Sequence, residues 1–149
     1  MRVVFSNTIF YNQKYGGISR YFISLAEEFI RNDIDFKLIA PINKNRLLKK
    51  IPKDKKVSFY LSRFPKLKII KKINDFLSKE YIKKFNPNIF HETYYSNLNL
   101  KEINAPKVLT VYDLIHEKFP EYFSRDKIKE KENINNYDHF ICISKNTKK

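Results

Sequence analysis

The two glycines of the chain stand side by side in NQKYGGISRYF, residues 12–22, between a lysine and a predicted helix. Glycine has no Cβ, so Gly16 and Gly17 allow positive φ and a close approach of a ligand to the backbone. The first helical turn adds unpaired N–H groups and a partial positive charge. The loop is therefore predicted to bind a phosphate or a carboxylate, with charge added by Lys14 and Arg20. The alternative is an ordinary strand-to-helix turn, since neither the GxGxxG nor the P-loop pattern is present.

Polar side chains that could handle a hydroxyl group occur in TVYDLIHEKFPEYF, residues 110–123. Asp113 could orient a substrate hydroxyl by accepting its hydrogen bond, and His116 could act in the same way one turn later. Asp113 could instead cap backbone N–H groups of a loop, and His116 could be a surface imidazole. Of these alternatives, we favour a functional role for Asp113 and a surface position for His116.

Another polar group ends an apolar run in FHETYY, residues 90–95. His91, Glu92 and Thr93 are predicted to face the same cleft as Asp113. One His-Glu pair without a third ligand at a recognisable spacing is poor support for a metal site. We therefore predict sheet-edge residues around a substrate pocket and no metal.

Short apolar runs must supply the elements that hold these residues in place. The runs are unbroken rather than alternating, which is typical of strands that are covered on both faces in a parallel sheet. They cover residues 3–5, 36–40, 57–61, 89–90, 108–112 and 140–143. Helical patterns lie between several of them, so the chain is predicted to adopt an α/β fold with right-handed crossovers. Ligands bind at the carboxyl ends of the strands in such folds.

Three helices are predicted from apolar spacing. The first follows the glycines and is amphipathic over about three turns. The second covers residues 67–85 and ends before Asn86-Pro87, because proline disfavours helical geometry at the preceding residue. Its apolar stripe, expected to be buried, consists of Ile70, Ile73, Phe76, Leu77, Tyr81 and Phe85. A third, weaker helix is predicted at residues 125–135.

Basic residues are concentrated in one part of the chain. The net charge is +14, and residues 44–84 hold 15 of the 30 Lys and Arg residues but 3 of the 16 Asp and Glu residues. Such a surface indicates a polyanionic partner, either an anionic membrane or nucleic acid. The alternative is a well-solvated lysine-rich surface.

Length and composition favour one folded unit at residues 1–149. Its single cysteine, Cys142, lies in the apolar run FICIS and is expected to pack in a core, so no disulfide framework is possible and a reducing compartment is indicated. The chain shows neither a signal peptide nor a membrane-spanning run, which predicts a cytoplasmic protein. It stops at the start of another predicted helix, so we expect a fragment of something longer.

Four segments, GGISRYF, FHETYY, TVYDLIHEKFPEYF and ICISKNTKK, resemble in order and approximate spacing the N-terminal half of glycosyltransferase family 4. The resemblance implies a retaining enzyme with two facing Rossmann-like domains, the GT-B fold. The N-terminal domain then holds the acceptor, and the C-terminal domain holds the nucleotide-sugar. That donor domain carries two glutamates separated by seven residues, and no such pair occurs in this sequence.

The resemblance also implies roles for individual residues. Gly16 and Gly17 match a loop at the cleft near the donor phosphates, and Lys14 has the spacing of the lysine in the KxGG motif of the related glycogen synthases. Tyr112 stands where many members have histidine and is expected to line the acceptor site. Acceptor contacts are expected from His116, Glu92 and Thr93 as well, and acceptor orientation from Asp113. No cofactor is implied, because the nucleotide-sugar is a substrate.

The resemblance thus implies part of an enzyme that transfers a hexose from a nucleotide-sugar to a glycan or a lipid-linked acceptor in surface-glycan synthesis, such as that of lipopolysaccharide or capsule. The chain by itself is expected to be inactive. A membrane-facing basic patch is predicted on the second helix, at Lys71, Lys72, Lys79, Lys83 and Lys84. Two alternatives stay open: a nucleic-acid-binding protein, and a non-catalytic domain that binds phosphate or nucleotide.

Overall fold

The structure is a computed structural model that describes residues 1–63, 67–96, 98–122 and 133–148. Its strands are β1 Arg2–Phe5, β2 Asp35–Asn43, β3 Lys56–Tyr60, β4 Ile89–Glu92, β5 Lys107–Val111 and β6 His139–Cys142. Its α-helices are α1 Thr8–Asn12, α2 Gly17–Arg31, α3 Leu67–Phe85, α4 Ile115–Lys118 and α5 Lys145–Lys148. Short 3₁₀ turns lie at Arg46–Lys50, Lys53–Lys55, Leu100–Glu102, Pro120–Tyr122 and Asn133–Asn136.

The six strands form one parallel sheet in the order β3-β2-β1-β4-β5-β6. At the centre, Phe5 of β1 pairs with Leu38 of β2 on one side and His91 of β4 on the other. The chain builds outward from β1 in one direction and then returns to build in the other, which is the Rossmann-like arrangement. The predicted fold class is confirmed.

The sheet has an apolar layer on each face. Along β1, Val3 and Phe5 belong to one buried cluster and Val4 belongs to the other, because successive side chains of a strand point to opposite faces. Phe22 of α2 packs on Phe5 with ring centroids 5.7 Å apart, and Ile82 of α3 lies in the cluster on the other face. Burial on both faces explains why the predicted strands are unbroken apolar runs.

Helix α3 contacts the sheet through a different stripe from the predicted one. Its buried residues are Ile70, Asn74, Ser78 and Ile82, which follow one another at intervals of four. The expectation was wrong for Ile73, Phe76 and Tyr81, which are 40%, 65% and 40% exposed. The reason is that two polar side chains have partners beneath the helix, and these contacts turn the apolar residues outward.

Those partners are backbone and side-chain groups of the sheet layer. The amide of Asn74 donates to the carbonyl of Ile42 and accepts from its N–H, both at 2.8 Å. This pairing gives hydrogen-bond partners to the backbone N–H and carbonyl of Ile42, where the register of β2 shifts between Ala40 and Ile42. Ser78 Oγ accepts from Asn7 Nδ2 at 2.8 Å. Both polar side chains are therefore better placed inside than a leucine would be.

The edge strand β6 also departs from expectation. Phe140 and Ile141 are 45% and 41% exposed, and Cys142 is half-buried, so this strand was wrongly predicted to be buried. It pairs with β5 alone within the described part of the chain. Of the third predicted helix, residues 125–132 lie outside the described residues, and Asn133–Asn136 forms a 3₁₀ turn. None of the described helices has the length and apolarity that crossing a membrane requires.

Candidate functional site

The carboxyl ends of β1 and β4 meet at the centre of the sheet, where the strand order reverses. An open α/β sheet forms its ligand crevice at this point, because the connections on the two sides lead away from each other. The segment after β1 begins with Ser6, and β4 ends at Glu92, followed by Thr93. Ser6, Glu92 and Thr93 therefore form the floor of the candidate site.

Glu92 is the centre of a buried hydrogen-bond network. Its Oε1 accepts from the hydroxyl of Ser6 and, at 2.9 Å, from that of Thr8. Its Oε2 accepts from Ser96 Oγ at 3.1 Å. Burial raises the pKa of the Glu92 carboxyl to about 7, with a smaller contribution from Asp75, although the three hydroxyl donors oppose the rise. Glu92 is thus a carboxyl group that titrates near neutrality at the switch point.

Thr93 joins the two central strands. Its N–H donates to Ser6 Oγ at 2.9 Å, and its Oγ1 accepts from the N–H of Ile9 at 3.1 Å. Both Glu92 and Thr93 are 0% exposed, so the role that the structure shows for them is to fix the segment after β1. Their predicted contact with an acceptor stays a prediction.

His91 lies on the opposite face of β4 from Glu92 and is enclosed by aromatic rings. Its ring centroid is 5.5 Å from that of Phe5 and 5.1 Å from that of Phe22, and its Nε2 is 2.8 Å from Thr110 Oγ1. Burial lowers the pKa of His91 to about 4. The imidazole is therefore neutral at physiological pH and links β4 to β5.

The glycine loop, which contains Gly16 and Gly17, lies at the same sheet edge. Hydrogen bonds from the segment after β2 hold it in place. Asn45 Nδ2 donates to the carbonyl of Gln13 at 2.8 Å, and the N–H of Arg46 donates to the carbonyl of Lys14 at 3.1 Å. A Cβ on Gly16 would lie 2.1 Å from Gln13 Oε1, whereas a Cβ on Gly17 would meet no atom within 4 Å. Neither glycine adopts the positive φ that glycine allows, and the open space for a ligand lies beside Gly17.

Helix α2 begins at Gly17, with its first turn at the site. Arg20 N–H donates to the carbonyl of Gly16 at 3.0 Å, and Ser19 Oγ donates to the same carbonyl at 3.1 Å. The side chains of Lys14 and Arg20 are exposed. The first N–H groups of the helix and these two cations can therefore attract an anion.

Tyr112 and Asp113 follow β5 on the other side of the switch point. The Tyr112 ring makes an edge contact with Tyr21 of α2 at 6.2 Å and stacks on Tyr94 at 6.4 Å, and burial raises the pKa of its hydroxyl. Asp113 Oδ1 accepts from Ile115 N–H at 3.2 Å at the start of α4. Asp113 thus makes the backbone-capping contact that the sequence analysis gave as the alternative to a functional role. Its predicted contact with an acceptor stays a prediction. The side chain of His116 lies outside the described part of the structure.

The family model of Glycosyltransferase Family 4 matches residues 15–149, starting one residue before the glycine pair. The chain belongs to glycosyltransferase family 4. A solved structure, the apo form of the lipopolysaccharide outer core galactosyltransferase WaaB, matches 99% of this family 4 chain with a TM-score of 0.61 and 14% sequence identity. The chain spans 41% of the length of WaaB, and at this identity the likeness shows the fold alone. No curated protein matches the chain by sequence.

A groove that the sequence reasoning missed lies beside the glycine loop of this family 4 chain. It is open to solvent, has a volume of about 870 Å³, and we call it the basic groove. Its walls are the 3₁₀ turns after β2, the face of β3 and the ring of Tyr15. The residues that line it are Tyr15, Asn43, Asn45, Arg46, Leu48, Lys49, Lys53, Lys56, Ser58 and Tyr60. The clustered cations at residues 46–56 were the available signal, and sequence reasoning assigned them to one undivided patch.

The five lysines predicted to face a membrane do not share one environment. Lys79 and Lys83 of α3 lie 3.0 Å and 3.8 Å from the two carboxylate oxygens of Glu102. Lys72 and Lys84 are exposed, whereas Lys71 is half-buried. The predicted patch is therefore partly neutralised at one side of the helix.

A metal centre would need several ligands in one place. Within residues 1–63, 67–96, 98–122 and 133–148, no group of three or more His, Cys, Asp or Glu side chains has a geometry that could hold a metal ion.

Proposed function

We propose that residues 1–149 form the acceptor-side domain of a retaining glycosyltransferase, with the donor-binding domain outside this chain. The full enzyme transfers a hexose from a nucleotide-sugar to a hydroxyl group of a glycan or a lipid-linked sugar. The observation that carries this proposal is the family match, which covers residues 15–149 and includes the glycine loop. The lipopolysaccharide named for WaaB is one candidate class of surface glycan.

The glycine loop suits the leaving diphosphate. In a transfer with an oxocarbenium-like transition state, negative charge grows on the diphosphate as the bond to the sugar breaks. Helix N–H groups and cations that are already oriented toward that charge stabilise the transition state at little reorganisation cost. The free space beside Gly17 and the exposed Lys14 and Arg20 support this role.

The acceptor hydroxyl that receives the sugar lies on the β4–β5 side of the loop. There Tyr112 offers an aromatic wall, and the Asp113 carboxylate accepts a hydrogen bond from the reacting hydroxyl. The buried network of Glu92 and Thr93 acts indirectly, by fixing the segment after β1 that forms the floor of the site.

The test is calorimetric titration and turnover assay of the 149-residue chain alongside protein extended through the downstream coding sequence, with UDP-hexoses and GDP-hexoses. We expect donor binding and transfer only from the extended protein and not from the 149-residue chain. Proton NMR should show that the product keeps the anomeric configuration of the donor. An inverted product contradicts the retaining mechanism. Tight binding of a nucleotide-sugar by the short chain contradicts the division of roles and favours the non-catalytic nucleotide-binding alternative.

We infer further that the exposed side of α3 contacts an anionic membrane at its cytoplasmic face. Ile69, Ile73 and Phe76 are 51%, 40% and 65% exposed and lie on one side of the helix at i, i+4 and i+7. The exposed Lys72 and Lys84 lie on either side of them. A helix with an apolar stripe between cations matches the interface of a bilayer with anionic headgroups.

Vesicle sedimentation tests this inference with a matched pair of variants. Phe76→Ser removes the centre of the stripe, and Phe59→Ser changes an equally exposed phenylalanine, 66% against 65%, on the edge strand β3. We expect binding to phosphatidylglycerol vesicles at low salt to fall for F76S and to persist for F59S. Equal behaviour of the two variants contradicts the inference. Salt-sensitive binding of an oligonucleotide without vesicle binding favours the nucleic-acid alternative instead, because an exposed aromatic ring such as Phe76 on a basic surface can stack on a base.

A further inference from the structure

We propose that the basic groove binds an acceptor sugar that carries a phosphate or a carboxylate, and that this domain therefore selects anionic acceptors. The inference rests on the proposed function, and it names the substrate class on the acceptor side. The groove volume of about 870 Å³ lies within the range of sites that enclose small ligands.

The charges around the groove all have one sign. Arg46, Lys49, Lys53 and Lys56 line it, and its described lining contains no aspartate or glutamate. Within the described residues, none of these four cations has a salt bridge to a carboxylate. This differs from α3, where Glu102 neutralises part of the charge. The groove is a concave site whose positive field is not compensated from within, so it attracts a small anion.

Lys56 shows the repulsion that an anion would relieve. It is half-buried, and its Nζ donates to the carbonyl of Leu48 at 2.6 Å. Burial lowers the pKa of the Lys56 ammonium, and the positive charge of Lys53 lowers it further. A phosphate or carboxylate placed between these two lysines offsets the repulsion and accepts a further hydrogen bond from the Lys56 ammonium, which has three donors.

Aromatic rings at the mouth fit the sugar part of the ligand. The Arg46 guanidinium lies 5.7 Å from the centre of the Tyr15 ring, and it reaches the hydroxyls of Tyr15 and Tyr60 only at 3.5 Å. Such long hydrogen bonds are weak, so Arg46 can exchange them for an anionic oxygen. Tyr15 and Tyr60 are 55% and 44% exposed and offer ring faces and hydroxyl groups to a pyranose.

The floor of the groove is fixed by hydrogen bonds within the protein. Asn43 is 1% exposed, and its Nδ2 donates to Ser58 Oγ at 2.8 Å and to the carbonyl of Ala40 at 3.1 Å. Tyr15, at the rim, directly precedes Gly16 and Gly17. A sugar in the groove therefore lies beside the loop proposed for the donor diphosphate, on its β2–β3 side, and belongs to a part of the acceptor away from the reacting hydroxyl at Asp113.

The test is an NMR titration of the ¹⁵N-labelled chain with glucose, glucuronate, glucose 6-phosphate and inorganic phosphate, each to tens of millimolar. We expect glucuronate or glucose 6-phosphate to shift the amides of Lys49, Ser58 and Tyr60, and glucose to shift them far less. The ratio of the two anionic sugars separates a carboxylate ligand from a phosphate ligand. Inorganic phosphate alone is expected to bind more weakly than glucose 6-phosphate, because it lacks the sugar.

Two double variants that remove the same charge test whether the anionic sugars bind in the basic groove. Lys49→Gln with Lys53→Gln removes two exposed cations of the groove, and Lys84→Gln with Lys101→Gln removes two exposed cations elsewhere. We expect binding to weaken at least about tenfold in the first double variant and to stay unchanged in the second. Both replace exposed side chains, so folding is expected to be unaffected.

The proposal is overturned if no probe shifts these amides, if glucose binds as well as the anionic sugars, if inorganic phosphate binds as tightly as glucose 6-phosphate, or if the two double variants weaken binding equally. The proposed function has its own readout, since transfer to a neutral acceptor by the extended protein would uphold it while overturning an anionic acceptor class. Loss of transfer to every acceptor would count against the proposed function, whereas the NMR shifts would still report on the groove.

Discussion

Replacing Glu92 by glutamine tests the buried carboxyl at the centre of the sheet. Glutamine keeps the size of the side chain, and its carbonyl oxygen can still accept from the hydroxyls of Ser6 and Thr8. What the variant loses is the ionisation of a group that is 0% exposed. Any difference in pH dependence between the two proteins therefore reports on the titration of this one carboxyl.

The expected magnitude follows from the pKa. Burial raises the pKa of Glu92 from 4.5 to about 7, and this difference corresponds to about 3 kcal/mol. Because the pKa is higher in the folded than in the unfolded state, the folded protein holds the proton more tightly. The free energy of unfolding therefore falls as the pH rises from 4.5 to about 7, and stays lowered above that pH.

His91 contributes a pH dependence of the free energy of unfolding with the opposite sign, over nearly the same pH range. Burial lowers its pKa from 6.5 to about 4, so the unfolded state takes up the proton first and stability is lost as the pH falls from 6.5 to 4. This contribution is also about 3 kcal/mol. In the unsubstituted protein the slopes from Glu92 and His91 offset each other, and E92Q exposes the slope of His91.

The assay is urea unfolding of both proteins at several pH values between 5 and 8, with Glu80→Gln on the exposed side of α3 as the control. We expect E92Q to be more stable than the unsubstituted protein at pH 8 by up to about 3 kcal/mol, and the difference to shrink toward pH 5. E80Q is expected to follow the unsubstituted protein. A difference between E92Q and the unsubstituted protein that stays constant across this range would refute the reasoning.

Three further substitutions test other parts of the structure. Asn74→Ala removes the partners of the partly buried N–H and carbonyl of Ile42, so we expect a loss of about 1–3 kcal/mol in urea unfolding. Gly17→Ala adds a Cβ that meets no atom, so we expect unchanged or slightly raised stability but reduced donor turnover in the extended protein; lowered stability would contradict the open space. Tyr112→Ala removes a ring packed on Tyr21 and is expected to cost about 2 kcal/mol, whereas Tyr112→Phe keeps the packing and serves as its control.

The strands could be predicted because two-sided burial makes them uniformly apolar. The run 36–40 falls within β2, and the run 108–112 overlaps β5. The buried side of α3 could not be predicted in this way, because Asn74 and Ser78 face the sheet for their hydrogen bonds. A rule that assigns polar side chains to solvent fails wherever the neighbouring backbone lacks a partner.

The common sheet edge of the site residues could be predicted, since the carboxyl ends of parallel strands must share one edge. Sequence patterns placed Glu92 and Thr93 at that edge but could not show that both are fully enclosed. The basic groove was missed because its cations come from two 3₁₀ turns and a strand, which share no helical or strand period. Tertiary contacts bring that segment to the glycine loop, namely the hydrogen bonds from Asn45 and Arg46 and the packing of Arg46 on Tyr15.

The two glycines end up with different explanations. Gly16 has one weak internal reason to lack a side chain, since a Cβ there would require the flexible end of the Gln13 side chain to move aside. Gly17 has no such reason: its φ is not positive, and a Cβ there would contact nothing in the described chain. Glycine in a helix costs up to about 1 kcal/mol relative to alanine. If a constraint keeps position 17 bare, it comes from outside this domain, from a ligand or a facing domain, so Gly17 is the more informative of the two positions about function.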